Sequence, residues 1–168
     1  MLFRSQYHIR VIGFDAVFAE ADESSGLPVL QRLAENQLKG SQEYLDTLAQ
    51  IRSQLDYDSL LAESIARHRV ILGVYFNPVN NQQTGALPQP AFTREDLHGA
   101  QTYIPRAAGY GANLEMFQSR AQDGGHFNHF PEMDGVVRRV PLFYEYEDRK
   151  STRLNSSHMS ESRMPSSA

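Results

Sequence analysis

The chain has 168 residues, no cysteine and no tryptophan, and carries 16 Lys and Arg against 20 Asp and Glu for a net charge of −4. Lack of cysteine excludes disulfides and thiolate metal sites and leaves either redox compartment open. The acidic balance argues against nucleic acid or an anionic membrane surface as partner, and no apolar run approaches the roughly 18 residues of a spanning helix.

In chain order, residues 1–5 (Met-Leu-Phe-Arg-Ser) match the translated complementary end of a common short-read sequencing adapter, and residues 148–168 match the adapter itself. Both ends are therefore expected to be foreign to the domain, with the tail disordered. Composition alone equally allows a native Ser/Arg-rich disordered tail. Between them, residues 6–147 hold 11 Lys and Arg against 18 Asp and Glu, a net −7. That size suits one domain, read here as truncated on both sides.

Residues 9–18 contain the first predicted strand, apolar on both faces around Ile12, Phe14, Val17 and Phe18 and so central and covered on both sides. A turn at residues 21–26 offers helix caps, and Pro28 suits a first helical turn. Leucines at 30, 33, 38, 45, 48 and 55, interrupted by Lys39-Gly40, predict two amphipathic helices or one broken one. A further helix is expected over 59–68, then a second buried strand over 70–76. Residues 77–90, rich in Asn, Pro and Gly, form a long loop. Residues 96–110 give no clear pattern, while 109–116 and 125–130 could each be short strands. Asp134-Gly135 between two apolar runs predicts a hairpin, with the last strand over 136–144. Together these elements give an α/β domain with a mixed sheet flanked by helices.

Four polar residues stand out as candidate ligand contacts. Asp15 lies near the end of an apolar strand, where ligands of open α/β sheets gather; the alternative is a carboxylate satisfied by backbone amides or by Arg138 or Arg139. Asn128 and Asp134 could face the same crevice, though an asparagine there often fixes a turn instead. Arg138 and Arg139 alternate along a strand, so at most one, Arg138, reaches a shared pocket. His126 and His129 are spaced to face opposite sides, which argues against joint metal binding. No metal, cofactor or catalytic residue is expected. Gly109-Tyr110-Gly111 lacks the rest of a phosphate loop, and no Gly-x-Ser-x-Gly, His-Glu-x-x-His or cysteine nucleophile appears. A hydrolase or phosphatase built on Asp15 remains an alternative, weakened because Val17 stands where a second aspartate is wanted.

Three anchors, in this order and spacing, resemble the second type of CHASE domain, a sensory input module: Gly13-Phe14-Asp15 with Val17-Phe18; Gly73-Val74-Tyr75-Phe76; and Asn128 followed by Asp134-Gly135-Val136-Val137-Arg138-Arg139. The resemblance covers nearly all of residues 6–147. It implies an extracytoplasmic (periplasmic) domain of a membrane-embedded bacterial receptor that answers a small-molecule or protein signal of unknown identity. Asp22-Glu23-Ser24-Ser25-Gly26-Leu27 and Leu55-Asp56-Tyr57-Asp58 look most like versions ahead of class III adenylate or guanylate cyclases, with histidine or serine/threonine kinases as competing effectors. The resemblance allows a homodimer. It also implies a further strand and helix before Gly13 and membrane spans after the last strand, so that a lone copy is expected to leave a sheet edge open.

Overall fold

The computed structural model describes residues 9–93, 96, 98, 103–148 and 151–156, with 147–148 and 151–156 described by their backbone alone. Residues 1–5 and 157–168, which the sequence reading assigns to adapter, lie outside the described residues. The fold is α/β with a mixed sheet, built around strand β2 (Val70–Asn77). Its sequence, Val-Ile-Leu-Gly-Val-Tyr-Phe-Asn, has no charge and suits a strand buried along most of its length.

Three helices precede β2. Helix α1 (Leu27–Glu35) starts at Gly26, whose φ of 74° suits glycine, and has Pro28 in its first turn. Helix α2 (Gln42–Leu55) is capped by Ser41, and its Tyr44 hydroxyl donates to Leu30 O at 2.9 Å, pinning it to α1. Helix α3 (Tyr57–Ala66) is capped by Asp56, which accepts from Ser59 N at 3.0 Å. The Lys39-Gly40 interruption thus separates two helices. Helix α3 reaches the core through Ala62 and Ile65 and α1 through Leu27, whereas α2 buries no residue completely.

Strand β1 (Ile12–Gly13) and strand β7 (Asp123–His126) run parallel to β2 on opposite edges, through Gly13↔Ile71 and Asp123↔Ile71. Strand β6 (Gly109–Gly111) pairs antiparallel with the second half of β2, and β3 (Gln83–Thr84) lies outside β6. A second sheet has the order β4 (Phe92–Thr93), β9 (Ser151–Ser156), β8 (Phe143–Asp148), β5 (Arg106–Ala107). The short helix α4 (Glu115–Gln118) joins β6 to β7. Alternate side chains of β2 feed two clusters. Val70 and Leu72 pack with Ala62, Ile65 and Phe117, whereas Val74 and Phe76 pack with Ala112, Tyr144 and Tyr146 of the second sheet.

Three expectations are corrected. The first strand lies within the expected span but is confined to Ile12–Gly13, and Val11 and Phe14 are exposed, so it is an edge and not a covered centre. Beyond Phe14, the Asn113 side chain takes its place beside β2, donating to Gly73 O at 2.9 Å. No ladder covers 136–142; β8 begins at Phe143. The turn itself forms, with Gly135 at φ 79° and Glu132 N donating to Val136 O at 3.0 Å, but Pro131 and Pro141 bracket it and the segment between is exposed. The strand expected within 125–130 is β7, shifted back to Asp123–His126. Within the stretch assigned to the adapter, Ser151–Ser156 form strand β9, antiparallel to β8. Strand β9 takes the edge of β8 opposite β5, which would otherwise stand open.

Candidate functional site

Because β1, β2 and β7 are parallel, their carboxyl ends share one edge of the sheet, where ligands of open α/β sheets gather. Asp15 lies two residues past β1 and Asn128 two past β7. The segments carrying them converge over Gly73: a Cβ there would lie 2.6 Å from Phe14 O, 3.0 Å from Ala16 O and 3.0 Å from the Phe127 ring. Gly73 is needed for this close approach of backbone to backbone.

Asn128 is a structural clamp in this geometry. Its Oδ1 accepts from Phe76 N at 2.7 Å and its Nδ2 donates to Phe76 O at 2.7 Å, continuing the hydrogen-bonding edge of β2 after β7 ends. Asn113, which the sequence reading missed, does the same on the other edge. It accepts from Phe18 N at 2.9 Å and donates to Gly73 O at 2.9 Å, filling the gap between β1 and β6. Its Nδ2 also faces Gln118 Oε1 at 3.4 Å. The signal for Asn113 is long-range, since its strand partner is 40 residues away.

Asp15 is exposed at this edge. It is not paired with Arg138, whose guanidinium bridges Glu132 Oε2 at 3.0 Å and Asp134 Oδ2 at 2.6 Å. Asp134 also accepts from Val136 N at 3.0 Å, so the turn closes on itself. The Arg138 guanidinium holds the Asp134 carboxyl below its ordinary range. The four candidates thus fall into two groups: Asp15 and Asn128 at the strand ends, and Asp134 with Arg138 in an exposed turn.

Two other places gather polar groups. Asp22 takes the backbone amides of Ser24 and Ser25, each at 3.1 Å, while Asp22 N donates to Asp58 Oδ2 at 2.9 Å. The two segments 22–27 and 55–58 therefore meet, around a small hollow of about 120 Å³. Hydrogen bonds from Ser24 and from the Ser59 amide hold the Asp22 and Asp56 carboxyls below their usual values. A cleft of about 440 Å³ opens at the amino end of β7, with Glu115, Gln118, Gln122 and Asp123 on its wall.

His126 and His129 do face opposite ways, His126 buried and His129 exposed. Neither ring nitrogen of His126, nor the Tyr144 hydroxyl, has a hydrogen-bond partner. The His126 ring stands edge-on to Tyr144 (4.9 Å between centroids) and to Phe76 (6.1 Å). Among the described residues no group of three or more acidic or histidine side chains is placed to hold a metal, and no helix is long and apolar enough to cross a membrane.

Compared with known proteins, the chain matches the family described as CHASE2 domain over residues 4–166. No curated protein and no solved structure matches it.

Proposed function

We propose, from the premise that this chain belongs to the CHASE2 domain family, that it is the input domain of a transmembrane receptor whose effector is a class III adenylate or guanylate cyclase. CHASE2 domains are extracytoplasmic sensory domains without catalytic function of their own. A sensor of this kind works by binding its signal more tightly in one conformation than in another, and so biasing the effector coupled to it. The signal is a small molecule or a protein, received where Asp15 stands exposed at the carboxyl edge of the parallel strands.

The observation that favours a cyclase is the junction of residues 22–27 with 55–58. These are the two stretches in which the chain resembles cyclase-linked versions, and the Asp22 N to Asp58 bond holds them together at the foot of α3. Sequencing the source gene with long reads across codons 5–6 and 147–148 tests the assignment. A downstream cyclase catalytic domain is the expected result. A histidine or serine/threonine kinase would replace the effector and keep the sensory role; a gene without any membrane span or effector would remove both.

A further inference from the structure

The junction between the two sheets contains a feature that the sensory reading leaves unused. Phe76 of β2 stacks on Tyr144 of β8, with ring centroids 5.3 Å apart, and His126 at the end of β7 closes the niche against both rings. His126 is 2% exposed and Tyr144 wholly buried. Three polar atoms, the two imidazole nitrogens and the Tyr144 hydroxyl oxygen, sit there without hydrogen-bond partners. A neutral imidazole tolerates such a niche at modest cost, whereas an imidazolium, with two N–H donors and a full charge, does not.

We infer that His126 is a proton-sensitive latch, holding the two sheets together while neutral and letting them part when acid outside the cell protonates it. This rests on the sensory, extracytoplasmic reading, which puts the niche in a compartment whose pH tracks the surroundings.

The groups around the ring support the direction. Strand β2 has no charged residue between Val70 and Asn77. On β8, burial pushes the Tyr144 phenol up, so it supplies no negative charge, and the neighbouring Glu145 is engaged by Arg106 Nε at 3.1 Å. On β7, Asp123 accepts from Gly124 N at 2.8 Å, at the strand's other end. Among the described side chains these elements bring to the ring, none is an anion left to receive the proton's charge. Burial pushes the His126 imidazole down to about 4, opposed only in part by the nearby Leu142 backbone, which lies outside the geometry of a formed hydrogen bond. The closed form therefore refuses a proton that an opened or unfolded chain accepts near pH 6.5. Above that pH the two forms bind equally and stability is intact; it is lost as pH falls from about 6.5 toward 4. A proton thus acts as a ligand that prefers the open state.

The test uses the whole 168-residue chain. Its denaturant midpoint is tracked from pH 7.5 to 4.5, alongside an NMR titration of the His126 ring. The expected result is an unfolding constant that rises by up to tenfold per pH unit below about 6.5, on the order of 100-fold at pH 4.5. The His126 ring should remain neutral until close to pH 4. His126→Phe, which keeps an aromatic ring in the niche, should remove that slope, and His129→Phe should leave it. Should the His126 variant not fold, the wild-type ring titration decides alone. A ring that titrates near its ordinary value, or a midpoint flat over this range, overturns the latch and leaves the sensory reading standing. A source gene without an effector would remove that reading and leave the titration unchanged.

Discussion

Asn113 and Asn128 occupy opposite edges of the same strand and do the same chemistry in different surroundings. Each uses one carboxamide to accept from one backbone amide and donate to one backbone carbonyl, as a neighbouring strand would. Asn113 is fully buried and ties together Phe18, Gly73 and Gln118, three segments far apart in the chain. Asn128 is half-buried and serves a single residue, Phe76. The difference shows how a central strand outlives its partners. Where β1 and β7 stop short, the buried donors and acceptors of β2 still need satisfaction. A carboxamide supplies both in the spacing of a peptide group, and its energetic weight then depends on how many segments it joins and how dry the site is.

That comparison can be broken most severely at Asn113. Asn113→Ala should orphan Phe18 N and Gly73 O inside the core, at about 1–3 kcal/mol for each group. A loss of about 2–4 kcal/mol is expected as a fall in the denaturant midpoint. A loss below about 1 kcal/mol would mean that water replaces the side chain and that this edge is no drier than the other. The next largest effect belongs to the close approach beneath both edges. Gly73→Ala puts a methyl 2.6 Å from Phe14 O, and since backbone must move, about 1–3 kcal/mol is expected. It should also increase amide exchange at Phe14 and in the segment around Phe127.

Asn128→Ala should cost less, about 1–2 kcal/mol, because solvent reaches the groups it abandons. Asn128→Asp sharpens the contrast through pH. A protonated carboxyl donates and accepts as the amide does, whereas a carboxylate cannot donate to Phe76 O. The folded-state affinity of that aspartic acid for its proton is then raised. Its full stability is present below the ordinary aspartate range near 3.9 and is lost as pH rises through the folded value. Wild type should show no such loss on raising the pH. An Asn128→Asp variant equal to wild type at pH 7 would show that Asn128 clamps nothing.

How far the sequence foretold this arrangement depends on range. Strand β2 and the three long helices were legible because the leucine periodicity, the Lys39-Gly40 interruption and the turn leading into Pro28 are local signals. The turn at Asp134-Gly135 was legible for the same reason. Its extension into a strand over 136–142 was not, since an apolar run becomes a strand only where a partner edge exists, and here the first ladder partner is met at Phe143. Asn113 was invisible because its meaning lies in Gly73 and Phe18, neither of them near it in the chain. Asp15 was legible as a residue at a strand end. One of the two arginines offered as its alternative partner, Arg138, is taken by Glu132 and Asp134 four to six residues away, and such short-range pairing outcompetes a distant one at little entropic cost. His126 drew attention as half of a histidine pair, when its significance lies in the rings of Phe76 and Tyr144.

The exposed turn marks the lower end of the scale. Arg138 is half exposed, and ion pairs in water contribute little to stability. Arg138→Ala should leave the denaturant midpoint at pH 7 unchanged within error, in contrast to both asparagines. Its effect should appear in titration. Because Arg138 is the main cause of the lowered Asp134 carboxyl, the variant should move Asp134 back toward its ordinary value, visible by NMR. Stability linked to a lowered carboxyl is present above its unfolded value near 3.9 and is lost as pH falls through the folded value, so the small advantage of wild type over the variant exists at neutral pH and closes in that acidic range. A separation at pH 7 well beyond error would assign the turn a role in holding the fold. It would also dissolve the distinction between a side chain that completes a sheet and one that merely decorates its edge.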